Sequence, residues 1–291
     1  MNFSNLSDIA KYIVADGKGI LAADESNPTC KKRFDSISVE STEENRRDYR
    51  ELLFTSKGMK KNIGGVILFD ETIRQHSESG KPLVEIIVES GALPGIKVDK
   101  GLQPFNGSEI ETLTQGLDDL DERCAEYAAL GAKFTKWRAV ISIGENIPSQ
   151  ECIDANMEAL ANYAKTAQKH GMVPIVEPEV LINGEHSIND CYDATSRSIK
   201  SLFDYLNSYD VLFQFLMTLA VGSGFDQKDL FPIIQKTFCF QTIKKEQWRW
   251  ILNFLVKGSQ TLEHYDEYKK VTILENGIYK VINKGIIMRH R

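Results

Sequence analysis

The chain has 291 residues, 42% of them hydrophobic, and a formal net charge of −6, which is ordinary for a soluble globular protein and enough for one large α/β barrel or two medium domains. The acidic balance argues against a general nucleic-acid or anionic-membrane surface, so neither is expected as a partner and any anion site is expected to be local. Five cysteines, Cys30, Cys124, Cys152, Cys191 and Cys239, occur singly, which indicates neither a zinc knuckle nor a disulfide framework but reduced thiols. The first stretch, MNFSNLSDIAKYIVADGKG, has no basic region before its apolar run, and that run is too short for a signal or a span; a cytosolic protein is expected.

From Gly19 to about Leu206, short apolar runs alternate with longer amphipathic ones. GILAAD (19–24), GGVILFD (64–70), GIKVD (95–99), KFTKWRAV (133–140) and MVPIVEPE (172–179) read as strands. Between the last two, Cys152, Asn156, Ala159, Leu160, Tyr163 and Ala167 recur at helical spacing, and repeated β-then-α order predicts a parallel sheet. The strands are apolar on both faces and no glycine-rich phosphate loop follows any of them, which disfavours an open nucleotide-binding sheet. Five such units before residue 210, at roughly 30 residues each, suit an eight-stranded (β/α)8 TIM barrel.

Charges interrupt these strands near their ends. Residues two apart in a strand share a face, so Lys136 with Arg138, Lys97 with Asp99 and Glu177 with Glu179 pair by parity, and Asp24 closes the first strand. In a barrel the carboxyl ends surround one pocket, and buried charge is costly unless paired. Convergence on one polar opening is therefore expected, with Trp137 pointing away into the strand–helix layer. Burial among other cations is expected to lower the lysine pKa, and a carboxylate pair to hold a proton tightly, both suited to acid–base work. Thr29, Lys32 and Arg33, in ADESNPTCKKRF just past the first strand, could hold a phosphate at a helix start; a solvated basic loop would read the same.

GKGILAADES, GVILFDETI, GIKVDKGLQPF, TQGLDDLDERCAEYAALGAKFTKWRAV and IVEPEVLINGEHSI resemble, in order and spacing, the class I fructose-1,6-bisphosphate aldolase family. The resemblance covers about residues 1–212. It implies a TIM barrel that cleaves fructose 1,6-bisphosphate reversibly to dihydroxyacetone phosphate and glyceraldehyde 3-phosphate through a lysine imine, with a sugar phosphate as partner, no cofactor and no metal. It also implies a homo-oligomer, a tetramer in the family. By motif, Asp24, Lys136, Glu177 and Glu179 take catalytic places, and Thr29, Lys32, Arg33, Lys97 and Arg138 take substrate-binding ones. Asn27-Pro28 stands where the family has Thr-Gly. The five histidines, His76, His170, His186, His264 and His290, form no HxH or HxxxH pair, which disfavours a zinc-dependent aldolase; His186 matches a turn position and is assigned a structural place.

The resemblance stops after Phe213. The family continues with a strand carrying the imine lysine; here the sequence is QFLMTLAVGSGFDQ, Leu219 falls at the lysine position, and no lysine lies between Lys200 and Lys228. Neither a Ser-Gly-Gly loop nor a Ser-Tyr-Gly-Arg motif appears. EQWRWILNFLV reads as a helix and KVTILENGIYKVI as a hairpin around Asn276-Gly277. The expected organisation is aldolase-like barrel units over 1–212 and a divergent segment over 213–291, either in the same domain or poorly formed, with the last two to three βα units altered or incomplete. Three readings stay open: an aldolase active through another lysine such as Lys136, an inactive barrel binding sugar phosphates or a partner protein, and a frameshifted, misjoined or truncated aldolase.

Overall fold

The structure, a computed structural model, describes residues 3–206, 209–237, 240, 243–257 and 271–290. Cys239 and His264 lie outside them. In chain order the elements are α1 (Leu6–Ile13), β1 (Gly19–Ala23), α2 (Asn27–Asp35), α3 (Glu43–Phe54), α4 (Met59–Asn62), β2 (Ile63–Leu68), α5 (Asp70–Arg74), α6 (Leu83–Glu89), β3 (Leu93–Lys97), β4 (Leu102–Pro104), β5 (Thr112–Thr114), α7 (Leu120–Ala129), β6 (Phe134–Ile141), α8 (Gln150–Lys169), β7 (Val173–Val180), α9 (Ile188–Leu206), α10 (Tyr209–Val221), α11 (Gln227–Ile234), α12 (Lys245–Lys257), β8 (Thr272–Ile273), β9 (Tyr279–Lys280) and α13 (Lys284–His290). The chain divides into two compact units, Met1–Ile199 and Lys200–Arg291. The division falls inside α9.

The first unit carries a parallel five-stranded sheet in the order β1-β2-β3-β6-β7, all of it built from the five runs read as strands. It is an incomplete (β/α) barrel, in which β1 and β7 are edge strands among the described residues. The long helix α8 starts where Ser149 Oγ accepts from the Cys152 amide, a side-chain cap that satisfies one of the amides a helix start leaves unpaired. Its buried face mixes Ala159, Ala161, Ala164 and Ala167 with Ile153, Met157, Leu160 and Tyr163, and it packs on β6 and β7.

The inner face of the sheet changes character along the strands. Leu93 and Phe134, at the starts of β3 and β6, pack with Ile67 of β2, with Ile9 and Ile13 of α1 and with Val173 and Ile175. Gly95 is required here, since a Cβ on it would come within 2.3 Å of the Phe134 ring. Two and four residues further on, the same parity delivers lysine, arginine and glutamate in place of apolar side chains.

The second unit has its own core: Leu212, Leu216 and Ala220 of α10, Leu230 and Ile234 of α11, Trp248, Ile251, Leu252 and Leu255 of α12, with Val271, Tyr279 and Val281. The segment expected as divergent thus buries a continuous apolar cluster. Phe225, between α10 and α11, pairs antiparallel with Tyr279 of the β8–β9 hairpin, and the two exchange backbone hydrogen bonds of 3.1 and 2.9 Å. The rings of these two residues stack at 5.2 Å. Gly224 takes φ +84 just before that pairing, and a Cβ there would meet Ile278 at 2.6 Å. Among the described residues no further strand joins the parallel sheet, because the sequence from Tyr209 to Val221 forms a helix whose apolar residues outnumber those of any one stripe.

Candidate functional site at the strand ends

Parallel register sets the site. Lys97 on β3 lies directly beside Lys136 on β6, and Arg138 lies beside Glu177 on β7. Lys136 Nζ stands 3.4 Å from Asp24 Oδ2, at the end of β1, and 3.1 Å from Glu177 Oε2. Lys97 Nζ is 2.7 Å from Asp99 Oδ1, and Arg138 Nε is 3.1 Å from Glu179 Oε2. The first and fourth strands of the sheet therefore meet through one ammonium, spanning 112 residues of sequence.

Exposure grades the group. The side chains of Asp24 and Lys136 are 12% and 14% exposed, whereas Glu177 and Glu179 are each 38% and Arg138 43%. Lys136 corrects one expectation. Burial pulls its pKa down, but the Asp24 and Glu177 carboxylates more than offset this, and the pKa ends above the ordinary lysine value. Its neighbours within ion-pair reach are carboxylates, not the cations foreseen from sequence, and the two glutamates each face a cation instead of sharing a proton with one another. Trp137, between these charges in sequence, is fully buried and stacks on Tyr163 of α8 at 5.5 Å.

Thr29, Lys32 and Arg33 all sit on α2. Thr29 Oγ1 is 3.1 Å from Ser26 Oγ, and Lys32 is exposed. Arg33 is taken up by Glu25 and by Tyr49 Oη, the latter at 3.0 Å. Among the described residues no hydrogen bond or ion pair joins these three to the strand-end charges. Asn27-Pro28 opens the helix, with proline in its first turn, where a missing N–H is harmless.

A supporting network was not singled out from sequence. Arg50 of α3, 2% exposed, reaches Glu25 Oε2 at 3.1 Å and the Glu25 carbonyl at 2.9 Å, fixing the residue next to Asp24. One turn earlier Arg46 grips Glu71 with a fork of 2.7 and 2.6 Å, which holds that carboxyl below its ordinary range. The signal was there: Arg46 and Arg50 share one face of a helix at i, i+4 in ENRRDYR.

A cavity of about 410 Å3 is lined by Glu145, Glu185, His186, Asp190, Asp193 and Arg197 among others, and by none of these strand-end charges. Among the described residues no group of three or more His, Cys, Asp or Glu side chains could hold a metal ion, and no helix is long and apolar enough to cross a membrane. Cys30, Cys124 and Cys152 are buried free thiols, and Cys191 is a half-buried one.

The fold and site together define an incomplete (β/α) barrel with interleaved lysines and carboxylates at its strand ends. A model of the class-I fructose-bisphosphate aldolase family matches residues 5–230. The chain is 51% identical over 214 residues to the Xanthomonas campestris protein named "Probable fructose-bisphosphate aldolase class 1", covering 74% of this chain and 64% of that one. It is 47% identical over 238 residues to cytosolic fructose-bisphosphate aldolase 5 of Arabidopsis thaliana, covering 81% and 66%, and 52% identical over 207 residues to aldolase B of Gallus gallus, covering 71% and 57%. The solved fructose-bisphosphate aldolase of Plasmodium falciparum superposes with a TM-score of 0.68 at 48% identity, over 69% of this chain and 58% of that one. The chain belongs to the class I fructose-bisphosphate aldolase family, a lyase family of glycolysis. It spans about 64% of the length of the first bacterial relatives it matches. A second family model, the winged helix domain of the large helicase-related protein, matches residues 193–291.

Proposed function

We propose that the first unit keeps the charged half of an aldolase site and binds phosphorylated sugars of the fructose 1,6-bisphosphate kind, without cleaving their carbon–carbon bond. One observation carries this reading: Lys136 is held charged between Asp24 and Glu177, while Leu219, at the position where the family has its imine lysine, lies in helix α10. Imine formation needs an unprotonated amine within reach of the ketone. A lysine whose proton is stabilised by two carboxylates supplies the opposite, and Arg138 cannot substitute because guanidinium stays protonated.

Asp24, Glu177 and Glu179 remain placed to accept or relay protons, and Lys97, Arg138 and Lys32 to meet phosphate or hydroxyl oxygens. Each strand-end cation already faces a carboxylate, so a phosphate must compete with it, and binding in the millimolar range follows, about −4 kcal/mol. A partner of sugar-phosphate type, a homo-oligomer and a cytoplasmic location are the counterparts of this reading, supported by the family match and by relatives named as cytosolic. For the C-terminal part, the likeness to another family and the core of its own favour a joined segment over a frameshift, since out-of-frame translation has no reason to yield either.

Titration calorimetry with fructose 1,6-bisphosphate, together with borohydride trapping in dihydroxyacetone phosphate and peptide mass spectrometry, tests the proposal. Weak binding that Lys97→Ala abolishes, with no trapped adduct and no cleavage, is expected. A stable adduct on Lys136 accompanied by cleavage would overturn it in favour of an active enzyme using a relocated amine.

A further inference from the structure

Gln75 ends α5, and its main chain is fully employed: its amide donates to the Thr72 carbonyl at 3.2 Å and its carbonyl accepts from the Leu83 amide at 3.0 Å. The residue is only 8% exposed. Yet both polar atoms of its side chain, Oε1 and Nε2, are buried without a hydrogen-bond partner among the described residues. A carboxamide that leaves water and gains nothing in exchange opposes folding, and the large majority of buried side-chain polar atoms are partnered. Two unmet atoms on one buried side chain point to a ligand that meets them.

Gln75 lines a cavity of about 610 Å3 built by α3, α5 and the two residues after α5, a size suited to a small molecule. Its wall carries both signs of charge, Glu43, Glu44 and Glu71 against Arg47, Arg74 and His76. Most of these are already engaged. Arg46 and Asn27 hold Glu71, and Asp70 and Glu126 hold Arg74. Asp48 accepts from Arg47 Nε at 2.9 Å, and Glu44 lies 3.8 Å from the same guanidinium. The side chains of Glu43 and His76, both exposed, make no hydrogen bond or ion pair among the described residues. This wall selects its ligand by exclusion. An anion would meet three carboxylates and two guanidiniums already neutralised, while a plain cation would leave Gln75 Nε2 without an acceptor. No aromatic side chain lines the wall, so a flat base has nothing to stack on. A molecule neutral overall, with an acceptor and a donor side by side, satisfies both ends of the carboxamide.

We propose that this cavity binds a free zwitterionic α-amino acid, its carboxylate accepting from Gln75 Nε2 and its ammonium donating to Gln75 Oε1. Both bonds are charge-assisted, and such bonds are shorter and stronger than neutral ones. Glu43 supplies the countercharge for the ammonium, and Arg47 and a ring N–H of His76 serve the carboxylate. The cavity shares no residue with the strand-end charges, so an amino acid here does not compete with a sugar phosphate there.

L-alanine, propionate and ethylamine share a methyl group and carry, respectively, both charges, the carboxylate alone and the ammonium alone. Broadening of that methyl proton resonance is followed for each as the full chain is added at neutral pH. Dissociation of L-alanine at about 0.1–1 mM is expected, a range set by so few ligand atoms, with propionate and ethylamine about tenfold weaker because each leaves one end of Gln75 unmet. Gln75→Leu removes both polar atoms from a buried place; it should keep or raise the thermal midpoint of the first unit and weaken L-alanine about tenfold or more. Glu43→Gln, an exposed change that guards against a folding artefact, should weaken it about threefold. Lys97→Ala, at the strand ends, should leave it unchanged. Propionate or ethylamine binding as tightly as L-alanine would overturn the proposal. So would L-alanine binding that survives Gln75→Leu or is lost in Lys97→Ala, or no broadening up to about 10 mM, tenfold past the weakest affinity expected.

Discussion

Replacing Lys136 by methionine keeps the length of the side chain but removes the ammonium that joins β1, β6 and β7. Asp24 and Glu177, 3.4 and 3.1 Å away, then face each other without a cation. Removing one partner of a fully buried pair costs about 3–5 kcal/mol; Asp24 is 12% exposed but Glu177 38%, so water screens part of the loss and about 1–3 kcal/mol is expected for the first unit. With a urea m-value of about 2 kcal/mol/M for a unit of this size, the midpoint should fall by about 0.5–1.5 M. The two units need not unfold together, so the transition is followed at Cys124 of α7 and Cys152 of α8, buried thiols of the first unit, by pulsed alkylation and peptide mass spectrometry. The pH dependence has a definite sign. The folded-state pKa of Lys136 is raised, so its contribution is fully present below the unfolded value near 10.4 and is lost as pH rises through the higher folded value. The gap between wild type and Lys136→Met should accordingly be full at pH 7.5 and shrink above pH 10.5. Equal midpoints at pH 7.5, or a gap that widens at high pH, would refute the assignment of Lys136 as the ion-paired centre of the strand-end cluster.

Trp137→Ala removes a fully buried ring stacked on Tyr163 and should cost about 3–5 kcal/mol, read as a lower thermal midpoint of the first unit with the α12 fluorescence transition unchanged. Gly95→Ala forces a Cβ to within 2.3 Å of Phe134 and should destabilise β3–β6 pairing, visible as faster amide exchange at Lys97 and Lys136. The thiol of Cys124 is pushed up to about 11 by burial, so alkylation of the native protein at pH 8 should leave it unmodified, and rapid labelling there would contradict its placement. Asp119 is held down to about 2 by hydrogen bonds from Lys100 and Arg123, so its stabilising contribution is present above the ordinary carboxylate value and should be lost as pH falls from 4 through 2; a carboxyl titration by NMR centred near 4 would show those contacts to be absent.

The sequence by itself determined the five parallel strands and their charged ends, because a strand covered on both faces must be apolar throughout and every lysine or glutamate in it stands out against that background. It determined the parity of Lys136 with Arg138 and of Glu177 with Glu179, since side chains alternate strictly along a strand, and it marked the α12 helix and the Asn276-Gly277 hairpin by period and turn chemistry. Which charges meet was decided only in three dimensions. Asp24 lies 112 residues from Lys136, and only sheet order and register bring it within reach; that carboxylate, with Glu177, reverses the direction expected for the lysine. Arg33 carries the right chemistry for a phosphate yet turns to Glu25 and Tyr49, because α3 supplies partners that local sequence does not reveal. The C-terminal segment held apolar residues enough for a core, but whether they would assemble depended on Phe225 finding Tyr279 across 54 residues, a non-local pairing that no local pattern encodes.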